Sequence, residues 1–170
     1  MLPSLMAPIG RSARMKALRE KVRQYAQHDA PVLISGEPGT GRSAFARYLH
    51  GLSGRADQPL VSITAASLTE DNLEVQLLGK ETDGEIHAGA FERAEGGTLV
   101  IDDLADLGDK GQRILAAAPE DAEFLRVGGS VPIKLSARVV ATISHDYETK
   151  IAAGELRRDV VANLSALGLR

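Results

Sequence analysis

Two segments of the sequence carry residues that could bind phosphate together with a metal ion. The first is a glycine-rich segment that follows a short apolar run and precedes an amphipathic stretch. The backbone amides of such a turn, with the N-terminus of the helix that follows, can surround a phosphate group. The residues expected to contact the phosphates are Gly36, Glu37, Pro38, Gly39, Thr40, Gly41, Arg42 and Ser43.

The last two residues of this segment carry its side-chain chemistry. The Ser43 hydroxyl could ligate a magnesium ion that bridges the β- and γ-phosphates of a nucleotide. Arg42 stands where loops of this spacing carry lysine. A guanidinium group is larger than an ammonium group, and it is planar and favours bidentate contacts. We therefore expect phosphate binding to persist while stabilisation of a transferring phosphoryl group is weakened.

The second segment is the apolar run Leu99-Val100-Ile101, which ends in Asp102 and Asp103. We expect Asp102 to hold the magnesium ion, directly or through water, and Asp103 to polarise the attacking water. Glutamate is the usual residue at the second position, and an aspartate side chain is shorter by about 1.3 to 1.5 Å. Since a displacement of about 1 Å can cost roughly a hundredfold in rate, Asp103 is a second reason to expect slow hydrolysis.

The elements that must position these residues alternate between short apolar runs and longer amphipathic stretches. This pattern is typical of βα units around a mainly parallel sheet. It predicts strands at 32–35, 60–64, 98–102 and 138–142 and helices at 12–27, 42–52, 70–77, 110–118 and 147–153. Pro119 should end the helix before it, because proline lacks an amide donor and clashes with the preceding turn. Residues 124–133 should form two short strands around a turn at Gly128-Gly129.

Composition limits the remaining possibilities. A chain of 170 residues that is 44% hydrophobic and 25% charged is expected to form one domain over 1–170. The net charge of −3, without a block of either sign, disfavours direct DNA binding through bulk charge. The absence of cysteine excludes disulfides, thiol nucleophiles and cysteine-ligated metals, and agrees with a cytoplasmic location. The apolar runs are too short for a membrane span.

Four sequence segments match one known family in the same order. They are VLISGEPGTG at 32–41, GAFERAEGGTLVIDD at 89–103, EFLRVGG at 123–129 and GELRRD at 154–159. With them, the chain from residue 9 to 170 resembles the central AAA+ domain of the NtrC-type bacterial enhancer-binding proteins, which activate sigma-54 RNA polymerase. The resemblance implies a three-layer α/β P-loop NTPase with a mainly parallel sheet and flanking helices.

The resemblance also implies cofactors and partners. ATP or ADP with Mg²⁺ would bind between subunits of a ring, so we expect self-association. Other domains of the same two-component regulator, or RNA polymerase, are the further partners expected. DNA contact would come only through a domain outside this sequence, and no membrane contact is expected. The helical lid of the family, with its sensor arginine, would follow Arg170.

Several positions depart from the family pattern. The surface loop with the GAFTGA sequence would fall between 77–79 and 89, but residues 80–88 are too few and lack the motif. We therefore expect no sigma-54 activation by the usual power stroke, a feature that resembles the NtrX-like branch of the family. Ser144 replaces the asparagine of the family's sensor, just after the strand predicted at 138–142. Arg157 matches the first arginine finger of the family, whereas Asn163 occupies the position of the second.

These observations favour a nucleotide-binding AAA+ module of a bacterial transcription regulator that hydrolyses ATP poorly. The candidate catalytic residues are Asp103, Ser144 and Arg157, and the candidate magnesium ligands are Ser43 and Asp102. Two alternatives are compatible with the same residues. One is an active ring ATPase in which Arg42 substitutes acceptably for lysine, and the other is an interaction scaffold that no longer binds nucleotide.

Overall fold

The computed structural model describes residues 13–36, 42–165 and 167–169, so the expected helix cap Ser12 and the loop residues 37–41 lie outside the described residues. Of the described helices, none is both long and apolar enough to cross a bilayer. The elements are α1 Ala13–Tyr25, β1 Val32–Gly36, α2 Arg42–Leu52, β2 Leu60–Thr64, α3 Leu73–Leu78, β3 Lys80–Thr82, β4 Glu85–His87, α4 Ala90–Arg93, β5 Thr98–Asp102, α5 Gly108–Asp121, β6 Glu123–Phe124, β7 Ile133–Lys134, β8 Arg138–Ser144, α6 Tyr147–Ala152, α7 Arg158–Leu164 and β9 Leu167–Leu169, with short 3₁₀ turns at Ala65–Ser67 and Leu104–Leu107.

Five strands form a parallel sheet in the order β2-β5-β8-β1-β9. Its register places Gly36 of β1 opposite Ser144 of β8, and Thr64 of β2 opposite Asp102 of β5. Since all five strands run in one direction, the ends of β1, β2, β5 and β8 meet at a single edge. Open α/β sheets bind their ligands at this carboxyl edge.

Helices cover both faces of the sheet. The sheet has a hydrophobic core on each face. Successive side chains of a strand point to opposite faces, so alternate residues of β1 pack into different cores. Val32 and Ile34 pack with α1 and α2, whereas Leu33 packs with α3, α4, α5 and α7. Strands that are buried on both faces read as continuous apolar runs, which is why the sequence located them well. The predicted three-layer α/β architecture is confirmed.

The prediction that Pro119 ends a helix is wrong. Helix α5 runs through Pro119 to Asp121 and ends where Ala122 adopts a left-handed backbone with φ 56°. Pro119 is the third residue from the end of α5, so the hydrogen bond that its missing amide would have made is lost in the last turn and not in the helix interior. Helix α7 supports this turn, since Asn163 Nδ2 donates to the Ala116 carbonyl at 2.9 Å and to Glu120 Oε2 at 3.2 Å.

A hairpin occupies residues 80–87, for which the sequence analysis predicted no element. Strands β3 and β4 pair in antiparallel fashion around Asp83 and Gly84, whose φ angles are 51° and 83°. Both residues need a positive φ in this tight two-residue turn, and Asp-Gly is a favoured pair there. The hairpin is bound to a second one, because the Glu81 amide donates to the Val127 carbonyl at 2.9 Å. That second hairpin pairs β6 with β7, as predicted for this region.

The side chain of His50 links α2 to the start of β5 through hydrogen bonds. Its ring is buried, with Nε2 at 3.1 Å from the Gln58 carbonyl and Nδ1 at 2.7 Å from Thr98 Oγ1. Because a carbonyl can only accept, we assign the proton to Nε2 and let Nδ1 accept from the Thr98 hydroxyl. Burial lowers the pKa of His50 below its usual value, partly opposed by the Gln58 carbonyl.

This lowered pKa predicts a pH dependence of stability. The unfolded imidazole, with a pKa near 6.5, gains its proton before the folded one does, so the contribution of His50 is complete above about pH 6.5. It declines as the pH falls below that value, by no more than about 1.4 kcal/mol per pH unit. Urea unfolding between pH 7 and 5 measures the slope. His50→Gln should reduce the slope of the unfolding free energy against pH. The assignment would be contradicted if this slope persisted in His50→Gln but disappeared in the exposed control His87→Gln.

Candidate functional site

The candidate site lies at the carboxyl edge of the sheet, where the first turn of α2 meets the end of β5. Gly36 ends β1, and α2 begins at Arg42 after the five residues that lie outside the described part of the structure. The expected phosphate contacts of Glu37, Pro38, Gly39, Thr40 and Gly41 therefore remain predictions. The strand before the loop and the helix after it, both required for a phosphate loop, are present.

Asp102 lies at the centre of a group of hydroxyls. Its Oδ1 accepts from Ser43 Oγ at 3.0 Å and from Thr142 Oγ1 at 3.3 Å, and its Oδ2 lies 3.5 Å from Ser62 Oγ. These contacts bring α2, β2, β5 and β8 to one carboxylate. The structure thus brings together the two side chains that the sequence analysis proposed as magnesium ligands, Ser43 and Asp102.

The donor chemistry of this pair fits Mg²⁺, which prefers hard oxygen ligands and keeps several waters. The described residues contain no group of three or more His, Cys, Asp or Glu side chains that could hold a metal ion. A magnesium ion at Ser43 and Asp102 would consequently depend on phosphate oxygens and water for its other ligands, as is usual for nucleotide sites.

Arg42 and Asp103 form an ion pair. Arg42 Nη2 lies 2.8 Å from Asp103 Oδ1, and the side chain of Arg42 is 12% exposed whereas that of Asp103 is 45% exposed. The backbone of Asp103 is left-handed, with φ 59°, and its amide donates to Thr142 Oγ1 at 3.0 Å. Left-handed backbone is costly for most residues but is tolerated best by aspartate and asparagine among non-glycine residues.

Ser144 ends β8 at the same edge but bonds elsewhere. Its hydroxyl donates a hydrogen bond to the Asp146 carboxylate, and this bond lowers the pKa of Asp146. The next amide, that of His145, donates to the Gly36 carbonyl at 3.1 Å. Ser144 therefore lies beside the start of the phosphate loop with its hydroxyl engaged by a carboxylate, a partner that the sequence analysis did not identify.

Arg157 lies in a separate cluster on the surface. Its guanidinium donates to Asp109 at 2.8 Å and to both oxygens of Asp159 at 2.9 Å. These hydrogen bonds raise the pKa of Arg157 further above its usual value, with Asp159 the larger cause. Asp109 is shared with Arg113 at 2.8 Å. The hydrogen bonds found for Arg157 in the described structure do not link it to the pair of Arg42 and Asp103.

Gln112 is a buried residue that sequence reasoning missed. It is 1% exposed, and its Oε1 accepts from the backbone amide of Arg157 at 2.7 Å. Its Nε2 donates to the Glu155 carbonyl at 3.0 Å and lies 3.5 Å from the Ala105 carbonyl. The side chain thus fastens the segment that carries Arg157 to α5. A glutamine on the buried side of an amphipathic helix was the one available signal.

Comparison with known proteins identifies one family over nearly the whole chain. The model of the sigma-54 interaction domain matches residues 8–170. The transcriptional regulatory protein FlbD of Caulobacter vibrioides is 36% identical over 165 residues, which are 94% of this chain and 36% of FlbD. The chain therefore spans about a third of the length of this relative.

Solved structures agree with this match. NtrX from Brucella abortus in complex with ADP superposes with a TM-score of 0.87 at 32% identity, covering 95% of this chain and 37% of NtrX. The complex of the same protein with ATP gives 0.86 at 31% identity, covering 98% of this chain and 39% of NtrX. The P-loop NTPase domain of a protein described as the sigma-54 transport activator from E. coli gives a TM-score of 0.64 at 24% identity, covering 95% of this chain and 96% of that one, and shows the fold alone.

Replacement of Gln112 tests its role in holding the Arg157 segment. In Gln112→Leu, the Arg157 amide and the Glu155 carbonyl lose their partner in a buried place, and we expect a loss of about 1 to 3 kcal/mol in the free energy of unfolding. Gln76→Leu, at an exposed position of α3, is the matched control and should change it by less than about 0.5 kcal/mol. Equal effects of the two substitutions in urea unfolding would contradict the assignment.

Proposed function

The chain belongs to the sigma-54 interaction domain family, and from this membership we propose that residues 1–170 form the α/β part of an AAA+ module that binds ATP or ADP with Mg²⁺ and hydrolyses ATP poorly. The observation that carries the proposal is the contact of the first turn of α2 with the end of β5. There Ser43 meets Asp102 and Arg42 meets Asp103. A phosphate loop and a strand that ends in carboxylates are the two parts that a nucleotide site requires.

The relatives support the choice of ligand. NtrX from Brucella abortus, 31 to 32% identical to this chain, has been solved in complex with ADP and with ATP. We extend both ligands to this chain because the residues that flank the phosphate loop are in place. Gly36 to Ser43 would surround the phosphates, while Ser43 and Asp102 would hold Mg²⁺, which neutralises charge on the phosphate oxygens when it is bound.

Poor hydrolysis follows from the partners of the candidate catalytic groups. The Asp103 carboxylate, which should polarise the attacking water, is paired with Arg42. The hydroxyl of Ser144 is bonded to Asp146. Asn163, which occupies the position of the second arginine finger, donates a hydrogen bond to the Ala116 carbonyl of α5. Asp103 and Ser144 would have to exchange these partners before they could take part in phosphoryl transfer, and Asn163 has no guanidinium to supply the charge of a second arginine finger.

Arg157 is the candidate for action on a neighbouring subunit. We propose that the chain self-associates and that Arg157 then contacts the phosphates bound by its neighbour. An arginine supplied in this way can raise turnover by about 10³ to 10⁵. In the single chain it is held by Asp109 and Asp159, so a phosphate must replace two carboxylates, which adds to the reasons for slow turnover.

In the cell, we propose, this module belongs to a bacterial transcription regulator. Its partners would be the other domains of that regulator or RNA polymerase, and any contact with DNA would be made by another domain. The hairpin at residues 80–87 occupies the place of the family's GAFTGA loop and closes in a two-residue turn. The module would therefore act through its nucleotide state and self-association rather than by the usual power stroke on sigma-54.

Nucleotide-dependent stabilisation tests the proposal. A ligand present at 100 times its dissociation constant adds about 2.7 kcal/mol to the free energy of unfolding. We expect Mg-ADP and Mg-ATP to raise the melting temperature of the wild-type chain. Arg42→Ala should abolish most of this rise, whereas Arg47→Ala, at an exposed arginine five residues further along α2, should retain it. No rise at millimolar nucleotide would contradict nucleotide binding and favour the scaffold alternative.

A further inference from the structure

The ion pair of Arg42 with Asp103 joins two residues that both depart from the usual pattern of a phosphate site. Arg42 is longer than the usual lysine, and Asp103 is shorter than the usual glutamate by about one methylene. The two side chains are in contact, with Arg42 Nη2 at 2.8 Å from Asp103 Oδ1. The side chain expected to bind phosphate and the one expected to activate water are therefore bound to each other.

The guanidinium of Arg42 has an unused donor. Its Nη2 donates to Asp103, but Nη1 is buried and has no hydrogen-bond partner among the described residues. A buried donor on a charged group without an acceptor is costly, so an anionic acceptor would be favoured at this place. Because Arg42 begins α2 directly after the phosphate loop, the phosphate groups of a nucleotide are the acceptor that this position fits.

We propose that Asp103 competes with the phosphates of the nucleotide for Arg42, so that nucleotide binding breaks the ion pair and releases the Asp103 carboxylate. This inference rests on the proposed nucleotide binding. It assigns Asp103 a role in setting affinity in addition to its candidate role in hydrolysis.

The difference in exposure indicates which partner moves. The Arg42 side chain is 12% exposed. Its charge would be buried and unpaired if neither Asp103 nor a phosphate contacted it, which is costly. Asp103 is 45% exposed, so its carboxylate can turn into water at a lower cost. Its amide stays bonded to Thr142 Oγ1, which keeps its backbone beside Asp102. A polyphosphate with bound magnesium would thus take over Arg42 while Asp103 swings outward.

Calorimetry with Mg-ADP on the full chain tests the proposal. Asp103→Asn keeps the size of the side chain and its tolerance of left-handed backbone but removes the charge. We expect it to tighten binding about three- to fivefold, the scale of a partly exposed ion pair. Asp106→Asn removes an exposed carboxylate three residues further on and should change the dissociation constant by less than about twofold. Unchanged or weaker binding in Asp103→Asn would overturn the proposal.

A double-mutant cycle separates competition from simple repulsion between Asp103 and phosphate. The free energy of unfolding is measured for the wild type, Arg42→Gln, Asp103→Asn and the double variant. Without nucleotide, the effects of the two single substitutions should not add up to the effect of the double variant. The difference should correspond to about three- to fivefold in the unfolding constant. At saturating Mg-ADP the wild-type pair should be broken and the coupling lost. Coupling that persists with nucleotide, or additivity without it, would overturn the proposal.

The outcomes distinguish this inference from the proposed function. Binding by the wild type with no gain in Asp103→Asn overturns the competition alone and leaves nucleotide binding in place. Absence of binding at millimolar Mg-ADP in both the wild type and Asp103→Asn overturns the proposed function and the competition together. Binding in Asp103→Asn alone supports competition strong enough to mask the site. The calorimetric comparison uses Asp103→Asn, so it does not depend on the folding of Arg42→Gln.

Discussion

Ser43 and Arg42, in the first turn of α2, contact the two carboxylates at the end of β5. This contact depends on the parallel register of the sheet, because only strands that run the same way bring their carboxyl ends to one edge. Thr142 of β8 completes the arrangement, since its hydroxyl donates to Asp102 and accepts from the amide of Asp103. A shift of β8 by one residue would turn that hydroxyl to the other face of the sheet.

The charges at this edge explain why a nucleotide and a metal ion would bind together. Asp102 and Asp103 oppose a polyphosphate by repulsion, and Arg42 can compensate only one of them at a time. A magnesium ion at Ser43 and Asp102 would balance the second carboxylate. If the proposal holds, Asp103 would be the one carboxylate of the pair left without a counter-charge once the metal and the phosphates were bound. Released from Arg42, Asp103 could accept a proton from water, but its side chain is about one methylene shorter than that of the usual glutamate, so hydrolysis would stay slow in the bound state.

The sequence was a good guide wherever burial or motif spacing determines structure. The central strands are apolar on both faces, so their positions were predicted closely. The structure places Ser43 beside Asp102, and their role as magnesium ligands stays a prediction. Contacts between distant residues of ordinary type could not be predicted, since nothing in the local pattern of Gln112 or Asp146 shows its partner. The course of α5 past Pro119 was missed because Asn163, distant in sequence, supports that turn. The hairpin at 80–87 was missed although Asp83-Gly84 is a recognised turn signal.

The turnover of Mg-ATP by the wild type and by the double variant Arg42→Lys/Asp103→Glu would decide whether the site is arranged for binding and restrained in hydrolysis. The double variant restores the usual lengths of both side chains and preserves their charges. We expect slow turnover by the wild type and a gain of about tenfold or more in the variant, since a displacement of about 1 Å can cost roughly a hundredfold in rate. Rapid wild-type turnover that the double variant leaves unchanged or lowers would contradict this expectation, and would indicate an active ATPase adapted to Arg42 and Asp103.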